Sequence, residues 1–345
     1  MSTLRNPRVW IGVAVSLLFL GLLLRSVDWR LVLDEVRHAN VALLVAAVVV
    51  EFGALWVRGW RWRIVLDSTV RITTTNATTL LLIGYAANNL LPMRAGDVVR
   101  AQLLHQQHGT SRLAGLGTVV VEKIFDGIIL ALFLALTLAA SGVGNTAVRL
   151  LAGVMGAAFV VLGVVIALLA LWPAFTNLMI AMLGVLPAGV RPKARALLGS
   201  FLQGLSSLRG AGPWAGVLAT TTASWALEAA MYALVGMAFG LQVPLGAYLA
   251  VCGAANLAIV VPSSAGGVGP WEYFARVVIV DTFGAPLAAG TAYVLVLHVL
   301  LLAPVVVAGL GLLWRQHLGI SSMVRAGTAG AERSEEHTSE LQSLA

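Results

Sequence analysis

The chain has 345 residues, 59% of them apolar and 11% charged, with a formal net charge of +7 and a mean hydropathy of +0.92. That composition excludes an ordinary soluble globular domain and identifies an integral membrane protein. The positive balance comes from 20 Arg against 2 Lys, scattered in short segments between apolar runs, which is a topology signal and excludes a nucleic-acid-binding block. The single cysteine, Cys252, excludes an intrachain disulfide and a thiolate metal cluster.

In chain order, Arg5 and Arg8 precede an apolar run from Val9 to Leu24. Gly21-Leu22-Leu23-Leu24-Arg25 lacks the small-x-small pattern of a cleavage site, so the run is expected to be a first membrane helix and not a signal peptide. A helix needs about 20 apolar residues to cross the hydrocarbon core. Val41 to Val57, Leu116 to Ala140, Leu150 to Leu171, Trp214 to Phe239 and Ala288 to Trp314 join the first run as expected spans. Two shorter runs, Thr78 to Leu91 and Ala247 to Val261, each end in a Pro/Gly motif and are expected to be re-entrant or broken helices.

The expected fold is therefore an all-α integral membrane protein with about six full transmembrane helices plus two re-entrant or broken helices, arranged as two inverted repeats. The repeats cover residues 1–140 and 141–316, followed by a cytoplasmic tail at 317–332. Residues 333–345 are expected to be disordered, because Arg333 to Ser343 resembles translated sequencing-adapter read-through. With the amino terminus inside and the short runs not crossing, inside segments hold 15 basic residues against 5 outside, so both termini are expected on the cytoplasmic side. An odd number of spans per half inverts the second half, which brings the two broken elements together near the midplane. The second span of each half carries one lone Glu, Glu51 and Glu228.

The two breaks spell similar sequences. Asn89-Leu90-Leu91-Pro92-Met93-Arg94-Ala95-Gly96-Asp97 is matched by Asn256-Leu257 and then Pro262-Ser263-Ser264-Ala265-Gly266-Gly267-Val268-Gly269-Pro270-Trp271-Glu272. Arg94, Asp97 and Arg100 are three apart and share roughly one face of a helix. Two guanidiniums flanking a carboxylate suit a phosphodiester, gripped in a planar fork, or else anchor a loop as an interfacial network. Glu122 and Asp126 lie one turn apart near the start of a long apolar helix. Lys123 is placed to pair with Asp126 there, and Arg94 or Arg100 is the expected partner of the acids. These charges either line a site or solvate the helix end. The turn at Gly266, Gly267 and Gly269 leads into a helix opened by Pro270. Its free N–H groups, with Ser263 and Ser264, suit an anion, and Glu272 either caps its own helix or accepts a cationic head group or a proton.

Weaker signals complete the pass. His105 and His108 have helical spacing but no acidic companions and suggest a solvated surface, not a metal site. His298 is expected to be packed or hydrogen-bonded. Arg191 to Arg209, with Leu197, Leu198, Phe201, Leu202, Leu205 and Leu208 at helical spacing, suggests a basic amphipathic helix on the cytoplasmic surface. Trp56, Trp60 and Trp62 among Arg58, Arg61 and Arg63 suggest an interfacial belt.

Taken in order, Asn88-Asn89-Leu90-Leu91-Pro92 with Arg94, Gly96, Asp97 and Arg100, then Glu122-Lys123 with Asp126, then Pro262 with Gly266, Gly267, Gly269 and Glu272, resemble the transmembrane region of lysylphosphatidylglycerol synthases and its flippase-like relatives. The resemblance runs from Val9 to Trp314, with Asp97 standing where Glu is more often expected. It implies a stand-alone member without the soluble synthase domain, acting as a lipid translocase for an anionic or aminoacylated phospholipid, or a lipid-linked sugar, in the bacterial inner membrane. It implies no enzyme, since no nucleophile elbow, phosphate loop or metalloprotease helix is found in the chain. A non-catalytic assembly subunit and a polyprenyl-lipid-dependent transferase are the alternatives. The expected substrate-binding set is Asn89, Arg94, Asp97, Arg100, Glu122, Lys123, Asp126, Ser263, Ser264, Gly266, Gly267, Gly269 and Glu272. The expected partners are membrane lipids, with a second copy of the chain as a further candidate. No cofactor, metal or nucleic acid is expected.

Overall fold

The computed structural model describes residues 7–24, 28–91, 95–142, 146–187, 189–205, 208, 211–259 and 265–316. Among the described residues the chain is α-helical with short 3-10 and π turns and no strand. The α-helices are α1 (Pro7–Leu24), α2 (Trp29–His38), α3 (Val41–Leu66), α4 (Thr74–Leu90), α5 (Gly96–His108), α6 (Arg112–Ser141), α7 (Thr146–Leu171), α8 (Pro173–Met182), α9 (Arg191–Leu205), α10 (Ala211–Ala238), α11 (Leu245–Ala258), α12 (Pro270–Arg276) and α13 (Leu287–Arg315). Each of the six long apolar runs falls in a helix, apart from Phe239, which lies one residue past the end of α10. Among the described residues, four stretches, Val41–Leu66, Arg112–Ser141, Val148–Leu171 and Leu287–Arg315, are long and apolar enough to cross a membrane. α10 has the length, at 28 residues, but three consecutive Thr and Glu228 dilute its apolar character.

Local chemistry sets where these helices begin. Asn40 caps α3 by accepting from the Ala42 and Leu43 N–H groups at 3.0 and 3.3 Å, and Thr73 caps α4 by accepting from Asn76 at 3.1 Å. Both satisfy donors that a first helical turn leaves orphaned. α3 then continues past Val57 to Leu66. Arg58, Arg61 and Arg63 therefore extend an apolar helix, because Arg is a good helix former.

The short helices are short in the observed fold as well. α4 has 17 residues and α11 has 14, which at about 1.5 Å per residue gives about 26 and 21 Å, less than a hydrocarbon core of roughly 30 Å. After α4 the chain resumes as α5 at Gly96. After α11 it resumes in a 3-10 turn, Ala265–Gly267, and then α12. Pro92, Arg94, Pro262, Ser263 and Ser264 lie outside the described residues, as does the tail from residue 317.

The packing is reciprocal. α3 lies along α10, α4 lies on α13, and α11 lies on α6, so each short helix rests on the last long helix of the other half. Both crossings are close. A Cβ on Gly309 of α13 would come 2.6 Å from the Leu82 carbonyl of α4, and one on Gly253 of α11 would come 2.7 Å from the Leu130 carbonyl of α6. Small residues at a crossing let helix backbones approach when surrounding lipid offers no hydrophobic drive. By contrast, α7 is apolar over most of its length and almost none of it is buried, so it turns its apolar surface outward.

α9 packs against α6, with Phe201, Leu202, Leu205 and the nearby Leu208 meeting Val121, Ile124 and Phe125. The amphipathic pattern of Arg191 to Arg209 is thus used against protein, while Leu197 stays exposed.

Candidate functional site: a polar cavity between the two broken helices

α3, α4, α6, α10, α11 and α13 converge on a cavity of about 400 Å³. One part of its wall is apolar, with Leu130, Phe159, Leu257, Leu301, Leu302 and Val305. The rest is polar and charged, including Glu51, Arg58, Asn89, Asp97, Lys123, Asp126, Glu228 and Asn256. Charged groups inside apolar helices are costly, on the order of 2.5–3.5 kcal/mol each on insertion scales, unless they are paired or wet.

Pairing is nearly complete. The Arg58 guanidinium donates to Glu228 and stacks over Trp225, 4.4 Å from the ring centroid. The other Glu228 oxygen, Oε1, accepts from the Tyr232 hydroxyl at 3.1 Å and from Asn256 Nδ2 at 3.3 Å. Arg61, 1% exposed, donates to both oxygens of Asp126 and to Thr221 Oγ1 at 3.2 Å. Asp126 also accepts from Trp225 Nε1 at 2.7 Å. Arg100 donates to Glu122 and lies 4.1 Å over the Trp62 ring. Five helices, α3, α5, α6, α10 and α11, are thereby tied together by charge-assisted hydrogen bonds in a low-dielectric interior, where such bonds are strong.

At the rim, Lys123 Nζ lies 3.4 Å from Asp97 Oδ2. Asp97 Oδ1 accepts from Asn88 Nδ2 at 3.3 Å, and Asn88 Oδ1 accepts from the Gly96 N–H at 2.8 Å, which fixes the start of α5 against the end of α4. Burial works to raise the pKa of Asp97, but the Lys123 and Arg100 charges and the Asn88 hydrogen bond outweigh it and hold the carboxyl below its ordinary value.

The second break is built around Glu272. Gly269, at φ 101°, adopts a backbone that residues with a side chain rarely take. A Cβ there would also come 2.7 Å from the Ser16 carbonyl of α1. The Gly269 N–H donates to Glu272 Oε2 at 2.7 Å, so Glu272 caps its own helix. Its Oε1 lies 2.7 Å from His298 Nδ1. The other ring nitrogen, Nε2, lies 3.1 Å from the Gly266 carbonyl, and the His298 ring stacks on Trp271. His298 and Gly266 reach the cavity wall.

The structure thus places Asn89, Asp97, Lys123, Asp126 and Gly266 at the cavity, with Arg100 and Glu122 forming a buried pair behind it. Gly267, Gly269 and Glu272 shape the second turn. Arg94, Ser263 and Ser264 lie outside the described residues. One expected pairing differs: Lys123 pairs with Asp97 across helices and not with Asp126, because Arg61 already occupies Asp126. Another is met: Arg100 is the partner of Glu122. That commitment leaves no free Arg100 guanidinium for the phosphodiester fork expected from Arg94 and Arg100. His105 Nδ1 lies 2.6 Å from the Thr110 carbonyl, and His108 Nε2 lies 3.3 Å from Asn76 Nδ2.

Sequence reasoning missed Arg58, Arg61, Trp225 and Tyr85 as cavity or network residues. It assigned Arg58, Arg61 and Trp62 to an interfacial belt. Trp62 is instead fully buried and donates to Thr118 Oγ1 at 3.0 Å; only Trp56 and Trp60 are exposed. The signal was present: Glu51, Arg58 and Arg61 fall on one stripe of a helix at spacings of seven and three.

The fold and site define a helical membrane protein with a cavity of mixed charged and apolar lining, bounded by two short helices. Residues 9–309 match the family described as the lysylphosphatidylglycerol synthase TM region, and the chain belongs to that family. It is similar to a protein named glycosyltransferase AglD from Haloferax volcanii, 25% identical over 96% of this chain and 58% of that protein. It is also similar to a UPF0104 membrane protein from Methanothermobacter thermautotrophicus, 29% identical over 33% of this chain and 34% of that protein. The chain therefore spans little more than half the length of the first relative and about a third of the second. The first likeness corrects the expectation that the chain is no enzyme: a relative named as a glycosyltransferase matches nearly all of it.

Proposed function

We propose that the protein handles membrane lipids as a translocase. The cavity takes the polar head group of a lipid while the acyl or prenyl tail stays among the apolar walls. The observation that carries this is the combination of charged and apolar lining in one cavity, set between outward-facing apolar helices. A cavity of about 400 Å³ is within the usual range for a small-molecule site. The cargo class is an anionic or aminoacylated phospholipid or a lipid-linked sugar. Six long helices crossing the bilayer, with α4 and α11 re-entrant, form two inverted repeats in this reading. The reciprocal packing of α4 on α13 and of α11 on α6 supports that arrangement, and rocking of the halves about the α3–α10 seam would expose the cavity to each leaflet in turn. The membrane is the bacterial inner membrane, with both termini cytoplasmic, in keeping with the excess of basic residues on that side.

A second reading is sugar transfer involving a lipid-linked substrate. It is favoured by the likeness to a protein named as a glycosyltransferase and by the carboxylates around the cavity, the groups that general acid–base chemistry uses.

Photoreactive lipids separate the occupied cavity from an empty one. A phospholipid or polyprenyl-phosphate sugar bearing a head-group crosslinker is expected to label peptides of α6 and α11. Asn89→Trp, which fills the cavity, is expected to abolish that labelling. Labelling confined to the outward face of α7 would sink the proposal. Incubation of the full chain with nucleotide-sugar donors and a polyprenyl phosphate tests the second reading, and a glycosylated lipid absent from Asp126→Asn would support it.

A further inference from the structure

Glu51 lies in the middle of α3, is 2% exposed and faces the cavity. Its Oε2 has no hydrogen-bond partner among the described residues. Among the described residues, the other charged and titratable groups around the cavity are engaged. Arg58, two turns further along the same helix, is committed to Glu228 on α10, and Tyr232 donates to that same carboxylate. On α6, Asp126 is held by Arg61 and Trp225, and Lys123 is paired with Asp97 of α5. His298 on α13 is fixed between Glu272 of α12 and the Gly266 carbonyl. Tyr85 on α4 and Cys252 on α11 are neutral groups at ordinary pH.

Among the described residues, every cation beside the cavity is already paired with another carboxylate. An uncompensated carboxylate in such a site costs several kcal/mol, and a group in that position takes up a proton instead. The fold retains the acid in a helix where Leu or Ala would pack at no such cost. We infer that Glu51 is a proton-exchange site of the cavity: its carboxyl holds a proton while the cavity is closed and gives it to water when the cavity opens or admits a cationic group. In that step the carboxyl O–H bond breaks, the proton leaves to cavity water, and the remaining carboxylate is stabilised by the water or the cation that has entered. What the proton does for lipid movement rests on the translocase reading; where it sits does not.

Infrared spectroscopy of the full chain in a bilayer at neutral pH, in H₂O and D₂O, tests the site. The expected result is a carbonyl-stretch band of a protonated carboxylic acid that shifts on deuteration. It should be lost in Glu51→Gln and kept, shifted, in Glu51→Asp. Gln copies the shape of the neutral acid, so the melting temperature of Glu51→Gln at neutral pH is expected to match the wild type. A band that is absent in the wild type or unchanged in Glu51→Gln would overturn the inference, as would a large fall in melting temperature for Glu51→Gln. The pH profile of lipid exchange separates the two claims. A profile flattened by Glu51→Gln supports both. The band with no exchange at any pH supports the proton site and removes the translocase.

Discussion

At the scale of single residues, the site is governed by what each buried charge touches. Arg58 is held by Glu228 and by the face of Trp225, and removing one partner of a buried pair strands the other. Arg58→Ala is expected to cost about 3–5 kcal/mol, whereas Arg58→Met combined with Glu228→Leu recovers much of the stability, since well-packed apolar pairs often replace buried ion pairs at little cost. Thermal unfolding in detergent measures both. If the pair serves only to hold the fold, the double variant keeps function; on the present account it loses it. Asp97 gives a pH effect of defined sign. Its carboxyl is held below the ordinary value in the folded state, so its stabilisation is fully present above the unfolded pKa and is lost as pH falls through the depressed folded value. The acid limb of the melting-temperature profile is therefore expected to flatten in Asp97→Asn. Asn89, Asp97, Lys123 and Asp126 were legible in the sequence because charges and amides beside Pro and Gly stand out in apolar surroundings. Arg58 and Arg61 were not, because arginine at the end of an apolar run is the ordinary mark of a membrane interface. Only the observed continuation of α3 to Leu66 places them inside the fold.

At the scale of elements, the two crossings of short on long helices depend on Gly253 and Gly309. Gly253→Leu is expected to push α11 off α6 and Gly309→Leu to push α13 off α4, each costing about 1–3 kcal/mol or more, as overpacking does. A thermal-stability assay of each variant checks this, and wild-type stability in both would contradict the described packing. The existence of α4 and α11 as short helices was readable from run length and the Pro/Gly motifs that end them. Their partners were not, because nothing in a local pattern says which distant helix a glycine meets. The basic amphipathic segment at α9 shows the same limit: periodicity identified its apolar face, and only the fold shows that α6 covers part of it.

At the scale of the molecule, composition alone sets the membrane class, and the order of the motifs carries the family. The chemistry is less legible. The proposed choice between a phospholipid and a lipid-linked sugar is one that composition does not reveal. The most direct test of a head-group cavity that serves both leaflets is leaflet exchange in proteoliposomes, using fluorescent phospholipids and a polyprenyl-linked sugar, for the wild type, Lys123→Ala and Asn89→Trp. The account predicts exchange above protein-free vesicles for at least one head group in the wild type, weakened in Lys123→Ala and abolished in Asn89→Trp. Exchange that Asn89→Trp leaves untouched, or no exchange for any head group, would contradict it.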